Sequence, residues 1–253
     1  MKPDASALTY ELRPGVFALP SGLLWLCASR VLLAADAHFA YEDVIGGALP
    51  LWSTAQSTAT LVLAAKRMAA REIVLLGDII HGNSMSEGAA RTVCAALETL
   101  RESALLTLVA GNHEGRSRGF SVLGVTVESA QRDGWHLAHG DRPPRAGTQS
   151  IIGHLHPSLH MGGGSSVPAF LAAANVIVVP ALTPYSPGLD VLSDDCIAAL
   201  APWDVRRKDI HVVASSAERV FPFGSLSALK AEMRKPSMPR ASRFRRKSLR
   251  PDV

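Results

Sequence analysis

Five short apolar runs between residues 31 and 156 each empty into side chains that can ligate a cation. The run 31–35 ends in Asp36-Ala37-His38 and the run 73–76 in Gly77-Asp78. The run 105–110 ends in Gly111-Asn112-His113-Glu114, 135–138 in His139-Gly140, and 150–152 in Gly153-His154-Leu155-His156. Imidazoles, carboxylates and an amide oxygen without thiolates are the ligand set of borderline divalent metals. An Asp can also serve two cations at once, one on each oxygen. In Asp36-x-His38 and His154-x-His156 a spacing of two places both side chains on one face of an extended segment. The glycines beside Asp78, Asn112, His139 and His154 let the backbone turn and approach closely.

Each fragment alone says little, and the chain supplies its own control. Asp209-Ile210-His211 has the same spacing, but it follows Arg206-Arg207-Lys208 and opens an apolar run instead of closing one. It reads as an ordinary strand start. His136 points away from the His139 side and reads as a strand residue. His160 precedes Met161-Gly162-Gly163-Gly164, and residues 161–166 read as a flexible surface loop. Five motifs in succession, each at a strand end, carry the argument. In α/β sheets, ligands bind where loops at the carboxyl ends of strands bring several side chains together.

The elements that must position these residues follow from pattern. Runs 15–18 and 23–29 flank Leu19-Pro20-Ser21-Gly22, a turn signal that predicts a β-hairpin. Residues 54–70 and 87–101 have the length and alanine content of helices. Short strand-like runs occur at 31–35, 73–76, 105–110, 120–127, 135–139, 150–152, 169–173, 176–179 and 210–214. Residues 194–200 and 226–233 read as weaker helices. Strand–helix–strand order in the first half predicts parallel βαβ units, and the strand-rich second half predicts a second sheet.

Composition bounds the classes open to the chain. At 253 residues with 47% hydrophobic and 19% charged side chains, it can bury a sizeable core. Disordered, collagen-like and coiled-coil chains are excluded. Cys27, Cys94 and Cys196 are few, odd in number and far apart, so no disulfide framework or CxxC zinc site is available. The start of the chain lacks the pattern of a secretory signal, and no apolar stretch approaches about 18 residues. A soluble, reduced, cytoplasmic protein is the expectation. The net charge is +4, yet residues 234–253 hold eight basic side chains against Asp252 alone, with three prolines. This predicts a folded domain over 1–233 and a disordered basic tail over 234–253. Such a tail can contact phosphate backbones of DNA or RNA without sequence preference.

Taken together, Asp36-x-His38, Gly77-Asp78, Gly111-Asn112-His113-Glu114, His139 and Gly153-His154-x-His156 resemble the calcineurin-like metallophosphoesterases. The short length, Gly77-Asp78-Ile79-Ile80-His81 and the stretch from Val179 to Gly188 are most similar to the small SbcD-related, ligase-associated (PdeM-type) branch. The resemblance implies an α/β fold of two packed β-sheets flanked by helices in four layers. It implies that Asp36, His38 and His156 hold one divalent ion, that Asn112, His139 and His154 hold another, and that Asp78 bridges them. Mn²⁺ is the expected metal, with Fe or Zn as alternatives. His113 is implied as the catalytic group over the scissile phosphate, oriented by Glu114, where much of the family has Asp. Ala37 replaces a commoner Leu, and there is no cap domain of the kind larger repair nucleases use to hold DNA.

The activity implied is hydrolysis of phosphodiesters, by a phosphodiesterase or nuclease linked to DNA repair, with a DNA ligase or helicase as partner. Paired cations about 3.5–4 Å apart can lower the pKa of water and offset charge building on phosphate oxygens. Phosphatase or diesterase action on a small nucleotide is the alternative. A non-catalytic nucleic-acid-binding protein is a third reading, against which all seven ligand positions are filled. Local signatures for serine or cysteine nucleophiles and for a GxxxxGK phosphate loop do not occur.

Overall fold

The computed structural model of the chain describes residues 8–46, 50–81, 85–112, 120–143, 145 and 147–233. Four antiparallel strands open it: β1 (Tyr10–Arg13), β2 (Val16–Ala18), β3 (Leu24–Leu26) and β4 (Val31–Ala35). The expected hairpin is β2–β3, turned by a short 3₁₀ segment at Pro20–Gly22. Helices α1 (Tyr41–Ile45) and α2 (Trp52–Met68) then lead to β5 (Glu72–Leu76), and α3 (Glu87–Ser103) leads to β6 (Leu105–Val109). Strands β4, β5 and β6 are parallel, with Ala35 opposite Leu76 and Leu76 opposite Val109. All five residues of both β4 and β5 are buried, as expected of parallel strands covered on both faces.

The helices have local causes. In α3 the Ser86 hydroxyl accepts from the Ala89 amide at 3.2 Å, and Glu87 lies in the positive first turn. Its buried residues Ala89, Val93, Ala96, Leu97 and Leu100 recur at helical spacing. In α2, Lys66 and Arg67 occupy the last turn, where cations oppose the helix dipole.

The second half supplies α4 (Phe120–Leu123), β7 (Ala130–Arg132), β8 (Trp135–Ala138), β9 (Ser150–Ile152), β10 (Pro157–Gly162) and β11 (Ser165–Ala172). It continues with β12 (Val176–Val178), β13 (Leu189–Asp190), α5 (Asp194–Ala199), β14 (His211–Ser215), β15 (Val220–Ser225) and α6 (Leu226–Met233). Its sheet runs β13-β10-β11-β12-β9-β8-β7, with β14 also on β11 and β15 on β14.

Alternate residues of β4 show the layering. Leu32 and Ala34 face a cluster with Leu61 and Ala65 of α2 and with Val93 and Leu97 of α3. Leu33 and Ala35 face the other way, packing with Leu137, Ile151, Phe170, Ile177 and Val213 of the second sheet. That sheet's outer face packs Leu171, Val178 and Val212 against Cys196 and Leu200 of the α5 region and Leu226 and Leu229 of α6. The order is helix, sheet, sheet, helix, the expected four layers. An ion pair also joins the sheets. Arg132 of β7 donates from Nε and Nη2 to the two Glu72 oxygens at 2.7 Å each, and Thr107 donates to the same carboxylate at 2.6 Å.

Two local expectations fail. Residues 120–127 were expected to be a strand; instead 120–123 form α4, and Val127 makes a single bridge to Val109. Periodicity cannot separate a short apolar helix from a strand, and burial of Leu123 against the α3 side settles the choice. Residues 161–166 are not a loose loop. His160 pairs with Ser166 and Gly162 with Ser165, so β10 and β11 form a hairpin whose turn uses glycines with positive φ. The proposed tail, 234–253, lies outside the described residues. Among those described, no helix is long and apolar enough to cross a membrane.

Candidate metal centre

The parallel strands deliver the chemistry to one pole. Ala35 at the end of β4 bridges in parallel to Ala181, just past β12, so strands of both sheets terminate together. Asp36 and His38 follow β4, Asp78 follows β5, Asn112 follows β6, His139 follows β8, and His154 and His156 follow β9. Two groups form there. Asp36, His38 and His156 each bring a ligand atom within 4.8 Å of the others, and Asp78, His139 and His154 do the same. Asn112 joins the second group, its Oδ1 being 2.8 Å from His139 Nε2. The groups adjoin: Asp36 Oδ1 is 3.5 Å from His139 Nδ1, and Asp36 Oδ2 accepts the His154 amide at 2.8 Å.

The backbone achieves this differently from the extended segments expected. Asp36, His38, Asp78, His154 and His156 all have positive φ, between 43° and 65°. Non-glycine residues there cost of order 1–3 kcal/mol each and persist where the surroundings overdetermine them. Here the surroundings do so: the His38 amide donates to Asp78 O at 2.9 Å, Phe39 N to Ile79 O at 2.7 Å, and Leu182 N to Ala35 O at 2.8 Å. The consequence is that His154 and His156, two residues apart, enter different groups. Two glycines make room. A Cβ on Gly77 would collide with the His139 ring, and one on Gly153 would lie 2.5 Å from Asp36 Oδ2 and 2.6 Å from Ala35 Cβ.

Ring orientation is set from behind. His139 Nδ1 faces the Leu76 carbonyl at 3.4 Å, so its Nε2 lone pair turns toward Asn112 Oδ1, His154 Nδ1 at 3.0 Å and Asp78 Oδ2 at 3.5 Å. His156 Nδ1 pairs with Ser186 Oγ at 2.7 Å, directing Nε2 to Asp36 Oδ1 at 3.4 Å and His38 Nε2 at 3.5 Å. His38 Nδ1 lies 2.9 Å from His81 Nδ1. Such outer partners fix tautomer and direction in metal sites. Burial and the neighbouring His139 push His154 below its ordinary range, which keeps its lone pair available. For His156 burial also acts downward, but the Asp36 carboxylate outweighs it and the net direction is up. Asp36 Oδ1 is buried without a hydrogen-bond partner. A buried carboxylate oxygen lacking a donor, amid converging nitrogen and oxygen lone pairs, fits a divalent cation.

With 86% of this chain and all of the other covered, the structure aligns to the nuclease MPE of Pseudomonas putida at a TM-score of 0.65 and 20% identity. The shared fold is the four-layer α/β metallophosphoesterase fold. The phosphoesterase YfcE from E. coli aligns at a TM-score of 0.37 and 18% identity, over 63% of this chain and 81% of that one, and adds nothing to the assignment. No protein-family model matches the chain, and no curated protein does. On this metallophosphoesterase fold the structure brings together Asp36, His38, Asp78, Asn112, His139, His154 and His156. His113 and Glu114 lie outside the described residues. His160 sits apart on β10, its Nε2 against the Pro187 carbonyl at 3.2 Å, and His211 opens β14 as a plain strand residue.

Spacing did not single out His81 and Ser186, the partners of His38 and His156, nor Tyr41, Tyr185 and Glu42 beside them. Glu42 is buried and accepts from the Ser53 amide and hydroxyl at 2.7 Å each. Burial works against its charge, but those hydrogen bonds hold its carboxyl below the ordinary range. His81, Tyr185 and Ser186 fall within the stretches that resemble the family, whereas Tyr41 and Glu42 carry no signal in the sequence.

Proposed function

We propose that this chain is a dinuclear-metal-dependent phosphodiesterase acting on nucleic acid. The observation that carries the reading is the pair of adjoining donor groups at one pole, with a buried Asp36 oxygen between them that lacks a hydrogen-bond partner. In this reading Asp36, His38 and His156 hold one ion, Asn112, His139 and His154 the other, and Asp78 serves both. Divalent ions bound there, Mn²⁺ foremost, supply Lewis acidity toward phosphate oxygens and lower the pKa of water. The residues do the rest: Leu76 O, His81 and Ser186 hold the imidazoles in register so that no reorganisation is needed when substrate arrives. His113 is assigned the proton for the leaving alkoxide, a task suited to an imidazole near neutral pH, with Glu114 orienting it.

Nucleic acid is favoured as substrate by the basic segment 234–253. A role in DNA repair beside a ligase or helicase rests on the sequence resemblance. The test is hydrolysis of bis(p-nitrophenyl) phosphate and of DNA by purified protein with Mn²⁺. Activity abolished by exhaustive chelation and restored by Mn²⁺ supports the reading; turnover that survives metal removal defeats it.

A further inference from the structure

Beside the His38–His156 group the chain builds a small aromatic step that the proposed metal chemistry does not use. The Tyr41 ring lies 6.5 Å from the His38 ring and 4.6 Å from that of His81. Tyr185 stacks on Tyr41 with centroids 5.3 Å apart and ring planes 18° from parallel. Its neighbour in sequence, Ser186, holds His156, so Tyr185 is one residue from a group that orients the site. The helix that carries Tyr41 and the Tyr185 ring itself are both tethered. The Ala40 amide donates to Thr54 Oγ1 at 2.8 Å, anchoring the start of α1, and the Tyr185 hydroxyl donates to buried Glu42 at 3.3 Å. Glu42 is already satisfied by Ser53, so the Tyr185 bond positions the tyrosine and is not needed to solvate the acid.

One face of Tyr185 is covered by Tyr41 and its hydroxyl edge is tied to Glu42, yet the residue remains 41% exposed. A ring tethered at its hydroxyl, backed by a second ring and still this exposed can offer a stacking surface. Resting on the phosphodiesterase reading, we propose that the Tyr41–Tyr185 pair receives a nucleobase adjacent to the scissile phosphate. The substrate class is then a phosphodiester carrying a planar base, recognised through its face and not its hydrogen-bonding edge. Stacking of this kind tolerates any base, because every base presents a π-face.

The experiment uses a dinucleotide containing 2-aminopurine, whose fluorescence falls when it stacks, titrated with full-length protein in chelator so that no hydrolysis intervenes. Quenching by wild type and by Tyr185→Phe, which keeps the ring, is expected, with affinities within about threefold. Tyr185→Leu should lose the quenching and weaken binding by about 10-fold to 100-fold. An abasic dinucleotide should compete at least about tenfold more weakly than its base-bearing counterpart against wild type, and equally well against Tyr185→Leu. Thermal melts check that each variant folds, and Tyr41→Leu repeats the test from the other ring. Quenching without Mn²⁺-dependent hydrolysis in a parallel assay would keep the stacking surface and overturn the phosphodiesterase reading. No quenching by wild type, or quenching unchanged in Tyr185→Leu, overturns the stacking surface whether or not diesters are cleaved.

Discussion

Replacing Gly153 by Ala adds one methyl group and tests whether the Asp36 carboxylate is held where a cation needs it. The new Cβ would sit 2.5 Å from Asp36 Oδ2 and 2.6 Å from Ala35 Cβ. Real Cβ atoms do not approach closer than 3.0 Å, and ordinary contact begins near 3.4 Å. The carboxylate or the β9 end must therefore give way by about 0.5 to 0.9 Å. Ligand distances in metal sites hold to within about 0.2 Å, so a shift of this size removes Asp36 as a good ligand. Misplacement approaching 1 Å costs about 10²-fold in rate. The main-chain bond from Gly153 N to His139 O, 2.9 Å, needs no side chain, so the fold should survive with about 1–3 kcal/mol of overpacking. After dialysis against Mn²⁺, elemental analysis should find fewer than two ions per chain, and diester hydrolysis should fall about 10²-fold or more. Gly88→Ala, whose Cβ would meet nothing nearer than Ser86 Oγ at 3.9 Å, should keep both ions and gain about 0.5–1 kcal/mol as a helical substitution. Two ions and full rate in Gly153→Ala would refute the reasoning.

Arg132→Ala should cost about 2–3 kcal/mol by urea denaturation, because it strands buried Glu72; a loss under about 0.5 kcal/mol would show that the pair does not tie the sheets together. Arg207 and then Lys230 hold the Asp194 carboxyl down at about 2, so its contribution to stability is present above its ordinary value of 3.8 and fades as pH falls toward 2. The difference in urea midpoint between wild type and Asp194→Asn should therefore be full at pH 6 and gone near pH 2, and a difference independent of pH contradicts this. Burial, then the Asp190 charge, pushes the Cys196 thiol up to about 11, while Cys27 and Cys94 are exposed. A disulfide reagent should count two thiols in native protein and a third only on unfolding; three reacting at one rate would be wrong for this core.

The strand ends were legible because a parallel strand is a short apolar run, and its carboxyl end is where Asp, His or Asn next to Gly stands out. That is why β4 and β9 appear in the sequence with the boundaries found in the structure. The conformation at those ends was not legible. Nothing in Asp36-Ala37-His38 marks two left-handed residues, since the hydrogen bonds that impose them come from the β5 end and from residues near 182. Spacing alone kept His154 and His156 on one face; only the turn imposed by both φ values sends them to separate groups. The supporting residues were hidden for the same reason. Glu42 meets Tyr185 across 143 residues and Ser186 meets His156 across 30, and such separations leave no periodic trace. The failed strand at 120–127 was a different error, an apolar run too short for its period to be read.

The central claim is that two adjoining groups of ligands hold two ions. Anomalous scattering from crystals of Mn²⁺-loaded protein tests it directly. The account predicts two peaks about 3.5–4 Å apart, one among Asp36, His38 and His156 and one among Asp78, Asn112, His139 and His154. A single peak, or two peaks of which neither touches Asp78, would contradict it.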